Sequence, residues 1–116
     1  MSAVMKVSYG ESSPAPSGTV MEEVPCGPGT VPAGWPFRTA RFTVPAGATG
    51  EPDRHEVAEL WMVRSGEGVV RCGDDTVELR PGDCVFFPPW TGHQATAGPD
   101  GPLEVFSVWW RQGEDR

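Results

Sequence analysis

Long uninterrupted segments, lysines and paired cysteines are what this sequence lacks. The longest stretch free of both glycine and proline, Asp53 to Ser65, is 13 residues. That interruption argues against coiled coil, helical bundle and helical solenoid. Lys6 is the only lysine, and 9 basic residues stand against 16 acidic ones for a net charge of −7. Nucleic acid and anionic membrane are poor partners for such a chain, because phosphate binding needs clustered Lys and Arg. Cys26, Cys72 and Cys84 are odd in number and show no C-x-x-C spacing, which disfavours a disulfide framework or a cysteine-rich zinc site. Reduced thiols in a cytosol fit better. No apolar run reaches the ~18 residues of a membrane helix, and residues 1–9 show no apolar signal core. The expected localisation is cytoplasmic.

What the chain does have is turn formers and short β-branched or aromatic runs. Glycine (15) and proline (13) together account for 28 of 116 residues, while five Trp and five Phe are enough to fill one small core. Strands are expected at 19–24, 37–44, 60–64, 69–72, 76–79, 84–87, 93–97 and 103–111, with 84–87 buried. A hairpin is expected around Gly73-Asp74-Asp75. Residues 10–18, rich in Ser, Pro and Gly, read as a loop or mobile arm, and Trp35 is expected to anchor the breaker-rich stretch 26–36. The division expected is an N-terminal arm with strands, 1–36, packing on a barrel, 37–116, in one domain. Seven to nine short strands at this spacing point to an all-β barrel or jelly roll with little or no helix.

Only two histidines occur, His55 and His93. In a strand Asp53 and His55 would share a face. Glu59, four residues on, would lie about 13 Å from His55 along a straight strand, too far to share one metal. The chain must therefore turn at 56–58 if the two converge. Imidazole and carboxylate are ordinary ligands of divalent transition metals, and two His with one carboxylate leave coordination positions open. By spacing alone this is a weak signal.

Two longer patterns add to it. Gly47, five residues, Asp53-x-His55, three residues, Glu59, six residues and Gly66 resemble the first motif of the cupin family. Gly82, five residues, Pro88-x-Trp90, two residues and His93 resemble the second, and the 15 residues between them match small microbial cupins. The resemblance implies a double-stranded β-helix, a jelly-roll barrel, with a metal held inside by His55, Glu59 and His93. Three positions depart from the pattern. Asp53 stands where the family usually has its first histidine, and is expected as a fourth ligand or as a hydrogen-bonding neighbour of the metal site. Trp90 replaces a glycine, which suggests a bulky wall at the pocket rim, and Ala97 replaces an asparagine.

Glu59 facing inward would place Trp61 and Val63 on the same face. Trp61, Phe87, Trp90 and Arg41 are the expected pocket residues, with Glu59 and Asp53 moving protons. Arg38 and Arg41 are alternative counterions for Glu59, although solvation is the commoner fate of such arginines. The function implied is a metal-dependent enzyme acting on a small organic molecule, with an Fe(II) oxygenase or dioxygenase favoured. Alternatives are a redox-neutral cyclase, isomerase, dehydratase or lyase using Zn, Ni, Mn or Fe, a metal-free acid–base enzyme, and a non-catalytic ligand-binding module. A homodimer is expected.

Overall fold

The structure is a computed structural model and describes residues 4–112. Nine strands are present and no helix among the described residues: β1 (Ser12–Pro14), β2 (Val20–Glu23), β3 (Arg38–Val44), β4 (Ala58–Ser65), β5 (Gly68–Cys72), β6 (Asp75–Leu79), β7 (Cys84–Phe87), β8 (Gln94–Ala97) and β9 (Leu103–Trp110). They form two antiparallel sheets, a larger one ordered β1-β2-β3-β9-β4-β7 and a smaller one ordered β6-β5-β8. Eight of the nine were legible as strand patterns, with ends displaced by a residue or two, as fraying ends usually are.

Alternation builds the core between the sheets. Phe42 and Val44 of β3, Trp61 and Val63 of β4, and Leu103 and Val105 of β9 point inward from the larger sheet. Val70, Leu79, Ala95 and Ala97 meet them from the smaller one. Each fully buried large side chain contributes about 2 kcal/mol relative to exposure, so the inward rows settle which face of each strand is covered. Outward positions carry the charges; Arg41, flanked by inward Ala40 and Phe42, is exposed.

Two expectations are corrected. Residues 10–18 do not form a free loop: β1 pairs with β2, which pairs in turn with β3. This pairing rests on main-chain groups and on the Ser12 hydroxyl, which donates to Glu22 at 2.7 Å, so the Ser-Ser-Pro sequence carries no apolar signal for it, and Pro14 is tolerated because β1 is an edge. Strand β7 is not fully buried either. It is the other edge of the larger sheet, with Phe87 buried and Cys84 and Phe86 exposed.

The connection from β3 to β4 positions the chemistry. Residues 47–53 run antiparallel to 93–98, with isolated bridges Thr49–Thr96 and Asp53–His93. Asp53 and His93 exchange both main-chain hydrogen bonds at 2.9 Å, and Gly50 donates to the Ala95 carbonyl at 2.8 Å. The stretch leading into His55 and the segment that begins at His93, far apart in sequence, are thereby stitched side by side.

Candidate metal centre

Glu59 is the second residue of β4, after a bend at 56–57 that turns the chain as the spacing required. The bend brings His55 Nε2 to 3.0 Å from Glu59 Oε1. His93, just ahead of β8, places its Nε2 3.2 Å from the same oxygen. Asp53 Oδ2 lies 3.5 Å from His55 Nε2. Ligand atoms of all four residues fall within 4.8 Å of one another. Glu59 and His93 are buried, His55 half-buried and Asp53 exposed at the rim.

The hydrogen bonds around the cluster are one-sided. Glu59 Oε2 accepts from the Trp61 indole N–H at 2.8 Å and from the Ser107 hydroxyl at 2.5 Å. Oε1, in a side chain only 8% exposed, has no hydrogen bond, because neither nearby imidazole meets it with hydrogen-bond geometry. His93 Nδ1 lies 3.0 Å from the Thr91 carbonyl, which can only accept, so Nδ1 carries the proton. In the neutral ring the Nε2 lone pair is then left facing Glu59 Oε1. Lone pairs that converge on one buried point are repulsive unless a positive charge lies between them. The donor set therefore fits a divalent metal, with the Thr91 carbonyl, Ser107 and Trp61 as the outer hydrogen bonds that orient the ligands.

Burial pushes the Glu59 carboxyl up, but its polar contacts with His93, Ser107 and Trp61 outweigh that and hold it below the ordinary carboxylate range. Burial likewise lowers His93, and the Glu59 carboxylate, the Thr91 carbonyl and Asp53 outweigh it, leaving His93 raised. Both shifts follow chiefly from polar partners that favour the charged form, with nearby opposite charge adding to them.

A cavity of about 530 Å³ opens above the cluster, lined by Asp53, His55, Glu59 and His93 together with Trp61, Phe42 and Ser107. The β1–β2 hairpin forms part of its wall through Ser13, Thr19 and Met21. Of the expected pocket residues, Trp61 lines this cavity and three do not. Phe87 is 2% exposed and stacks on the far face of His93, ring centroids 4.2 Å apart, so it orients the imidazole. Trp90 points outward, 57% exposed, with Arg54 over its ring at 5.1 Å. Its backbone lies at φ 66°, the left-handed region that glycine adopts freely, and its N–H donates to the His55 carbonyl at 2.7 Å. The turn is thus kept despite the indole, and the side chain is directed away from the cavity. Arg41 lies on the outer face, paired with Glu22 and stacked over Tyr9 at 4.1 Å. Arg38 similarly pairs with Glu23. Neither arginine reaches Glu59.

Sequence reasoning missed Ser107. It is the lone hydroxyl on the inward row of β9, between Val105 and Trp109; a polar residue interrupting an apolar row is the signal that could have found it. A second cavity, of about 590 Å³, lies under the loop 26–38 between Trp35 and Trp110 and has no histidine or carboxylate in its lining. Of these two cavities, the candidate ligand cluster lines the first.

Residues 40–109 match the family model described as "Cupin domain". Among solved structures, a cupin-2 domain from Rhodospirillum rubrum shares 23% identity at a TM-score of 0.68, over 84% of this chain and 62% of that one. This chain thus spans less than two thirds of that protein. A protein from Photorhabdus luminescens superposes with a TM-score of 0.76 at 18% identity, over 97% of this chain and 90% of that one. An RmlC-like cupin from Shewanella frigidimarina gives 0.73 at 20% identity, over 97% and 96%. Identities this low establish the shared fold.

Proposed function

The chain belongs to the cupin domain family, and from that premise we propose that it is a metal-dependent enzyme acting on a small organic molecule by redox-neutral proton transfer. The observation that carries this reading is the convergence of Asp53, His55, Glu59 and His93 at the floor of a cavity, with Glu59 Oε1 buried and unbonded. His55 Nε2, His93 Nε2 and Glu59 Oε1 would hold the metal, with Asp53 within reach as a fourth donor. A divalent transition metal there supplies an electrophile that polarises a substrate oxygen.

The remaining work falls to the chain's own groups. Glu59 keeps its charge because Ser107 and Trp61 bind its other oxygen. Asp53 is suited to moving a proton: Oδ1 accepts from the Arg54 N–H at 3.0 Å, while Oδ2 is exposed toward the cavity rim. A carboxylate within reach of a bound molecule can act as base and then return the proton as acid. Phe42, Val44 and Trp61 form the apolar wall that keeps water from the reacting atoms.

A second reading, an Fe(II) oxygenase, is favoured by the set of two histidines and one carboxylate if Asp53 stays off the metal, because that set leaves positions open. Metal content of tag-free protein tests the premise of both. Near-stoichiometric metal in the wild type, lost in His55→Ala and His93→Ala, is the expected result; protein that neither holds nor takes up metal overturns it. Oxygen uptake by Fe(II)-loaded protein turning over a substrate, compared with turnover by the zinc-loaded protein without O₂, separates the two readings: consumption of O₂ with product supports the oxygenase, and O₂-independent turnover supports the proton-transfer enzyme.

A further inference from the structure

Among the described residues, Trp109 alone lines both of these cavities. It continues the inward row of β9 after Leu103, Val105 and Ser107, which are buried, yet it is only half-buried itself. The register sets it between Glu59 of β4 and Arg38 of β3, on one face of the larger sheet. Residues opposed in this way have Cβ atoms about 5 Å apart, so the indole rises from the sheet next to Glu59. Arg38 lines the second cavity, and Glu23, its ion-pair partner, lines the first. Both partners of that pair are exposed, so it adds little. The indole is the main barrier between the two spaces.

Those spaces differ in chemistry. The first, of about 530 Å³, holds the four candidate ligands. The second, of about 590 Å³, includes Val31, Trp35, Phe37, Val57 and Trp110 in its lining. Its two arginines are each paired with a glutamate, Arg38 with Glu23 and Arg111 with Glu56. What remains suits hydrocarbon. The direct path from the ligand cluster to that apolar space runs through the indole.

We propose that Trp109 determines specificity: it closes the first cavity toward the loop 26–38 and so selects compact substrates without a long apolar tail. The proposal rests on the reading of the first cavity as a metal-bearing substrate site and names the size of molecule that site takes.

Acetohydroxamate and octanohydroxamate share a zinc-binding head and differ only in the length of the alkyl tail. Each is titrated into zinc-loaded protein, with zinc content measured on the same samples and the Trp35 indole N–H followed by NMR. In Trp109→Ala the ratio of octanohydroxamate to acetohydroxamate affinity is expected to rise about tenfold, the gain from burying about two more methylenes. The Trp35 signal is expected to shift with octanohydroxamate in that variant and to stay unmoved in the wild type. Trp109→Leu keeps an apolar side chain on the row and carries the test, with a smaller gain, if the alanine variant does not fold or hold zinc. An unchanged ratio in the folded, zinc-holding variant overturns the proposal alone. So does a raised ratio with Trp35 unmoved, or a Trp35 shift already present in the wild type. Wild-type protein that holds no zinc removes the metal reading, and this proposal with it.

Discussion

Ser107 holds Glu59 in place with a single hydroxyl, donated to the carboxylate oxygen that the histidines do not face. Ser107→Ala removes that donor while leaving the buried strand apolar. Metal affinity is expected to fall about tenfold, the usual cost of losing a partner that orients a ligand, and stability by about 1–3 kcal/mol, because a buried carboxylate oxygen loses a donor; competition with a chelator measures the first and unfolding in urea the second. Trp90 raises the opposite question, since a large side chain sits at a position made for glycine. Its left-handed backbone costs about 1 kcal/mol, offset by stacking with Arg54 worth about 0.5–1 kcal/mol. Trp90→Gly relieves the first and loses the second, so unfolding in urea is expected to show a change of under about 1 kcal/mol. Truncating buried Trp61 to Ala should instead cost about 3–5 kcal/mol. Sequence comparison with the motif located Trp90 correctly but not its direction, because the sign of φ at a turn is not written in residue type.

At the scale of elements, strands with apolar inward rows were readable and those without were not. β3, β4 and β9 alternate, so their spans and inward faces follow from the residues. β1 is three exposed residues paired through main-chain groups, and no side-chain pattern announces it. The tight link from β4 to β5 depends on Gly66, whose φ is 81° and whose missing Cβ would lie 2.0 Å from the Pro102 carbonyl oxygen. Since that neighbour is backbone, it cannot swing aside. Gly66→Ala is expected to destabilise the protein by about 3 kcal/mol or to prevent folding. An equilibrium urea titration with an unchanged midpoint would show that the link can relax.

For the whole molecule, the decisive event is the closing of the two sheets over one another, which presses 47–53 against 93–98 and completes the ligand cluster. A metal that binds only the folded chain stabilises all of it by mass action. Removing metal with a chelator at neutral pH is expected to lower the melting temperature by about 10 °C. The effect should shrink as pH falls. His93 must be neutral to bind metal, and its raised pKa means that protons compete for it from a higher pH than for an ordinary histidine. Calorimetry across pH, with and without chelator, measures both.

The sequence by itself determined the all-β class, the positions of most strands, and the motif residues His55, Glu59 and His93 with Asp53 in an unusual place. Those are matters of local pattern, in which period and spacing are written along the chain. Only the tertiary structure decided that Ser107 and Trp61 bind Glu59, that Phe87 backs His93, that Trp90 and Arg41 face away, and that β1–β2 walls the cavity above the cluster. Alternation tells which residues share a face; it does not tell what that face meets. That depends on which strands pair, in what register, and on which sheet closes over them, contacts made between residues far apart in the chain.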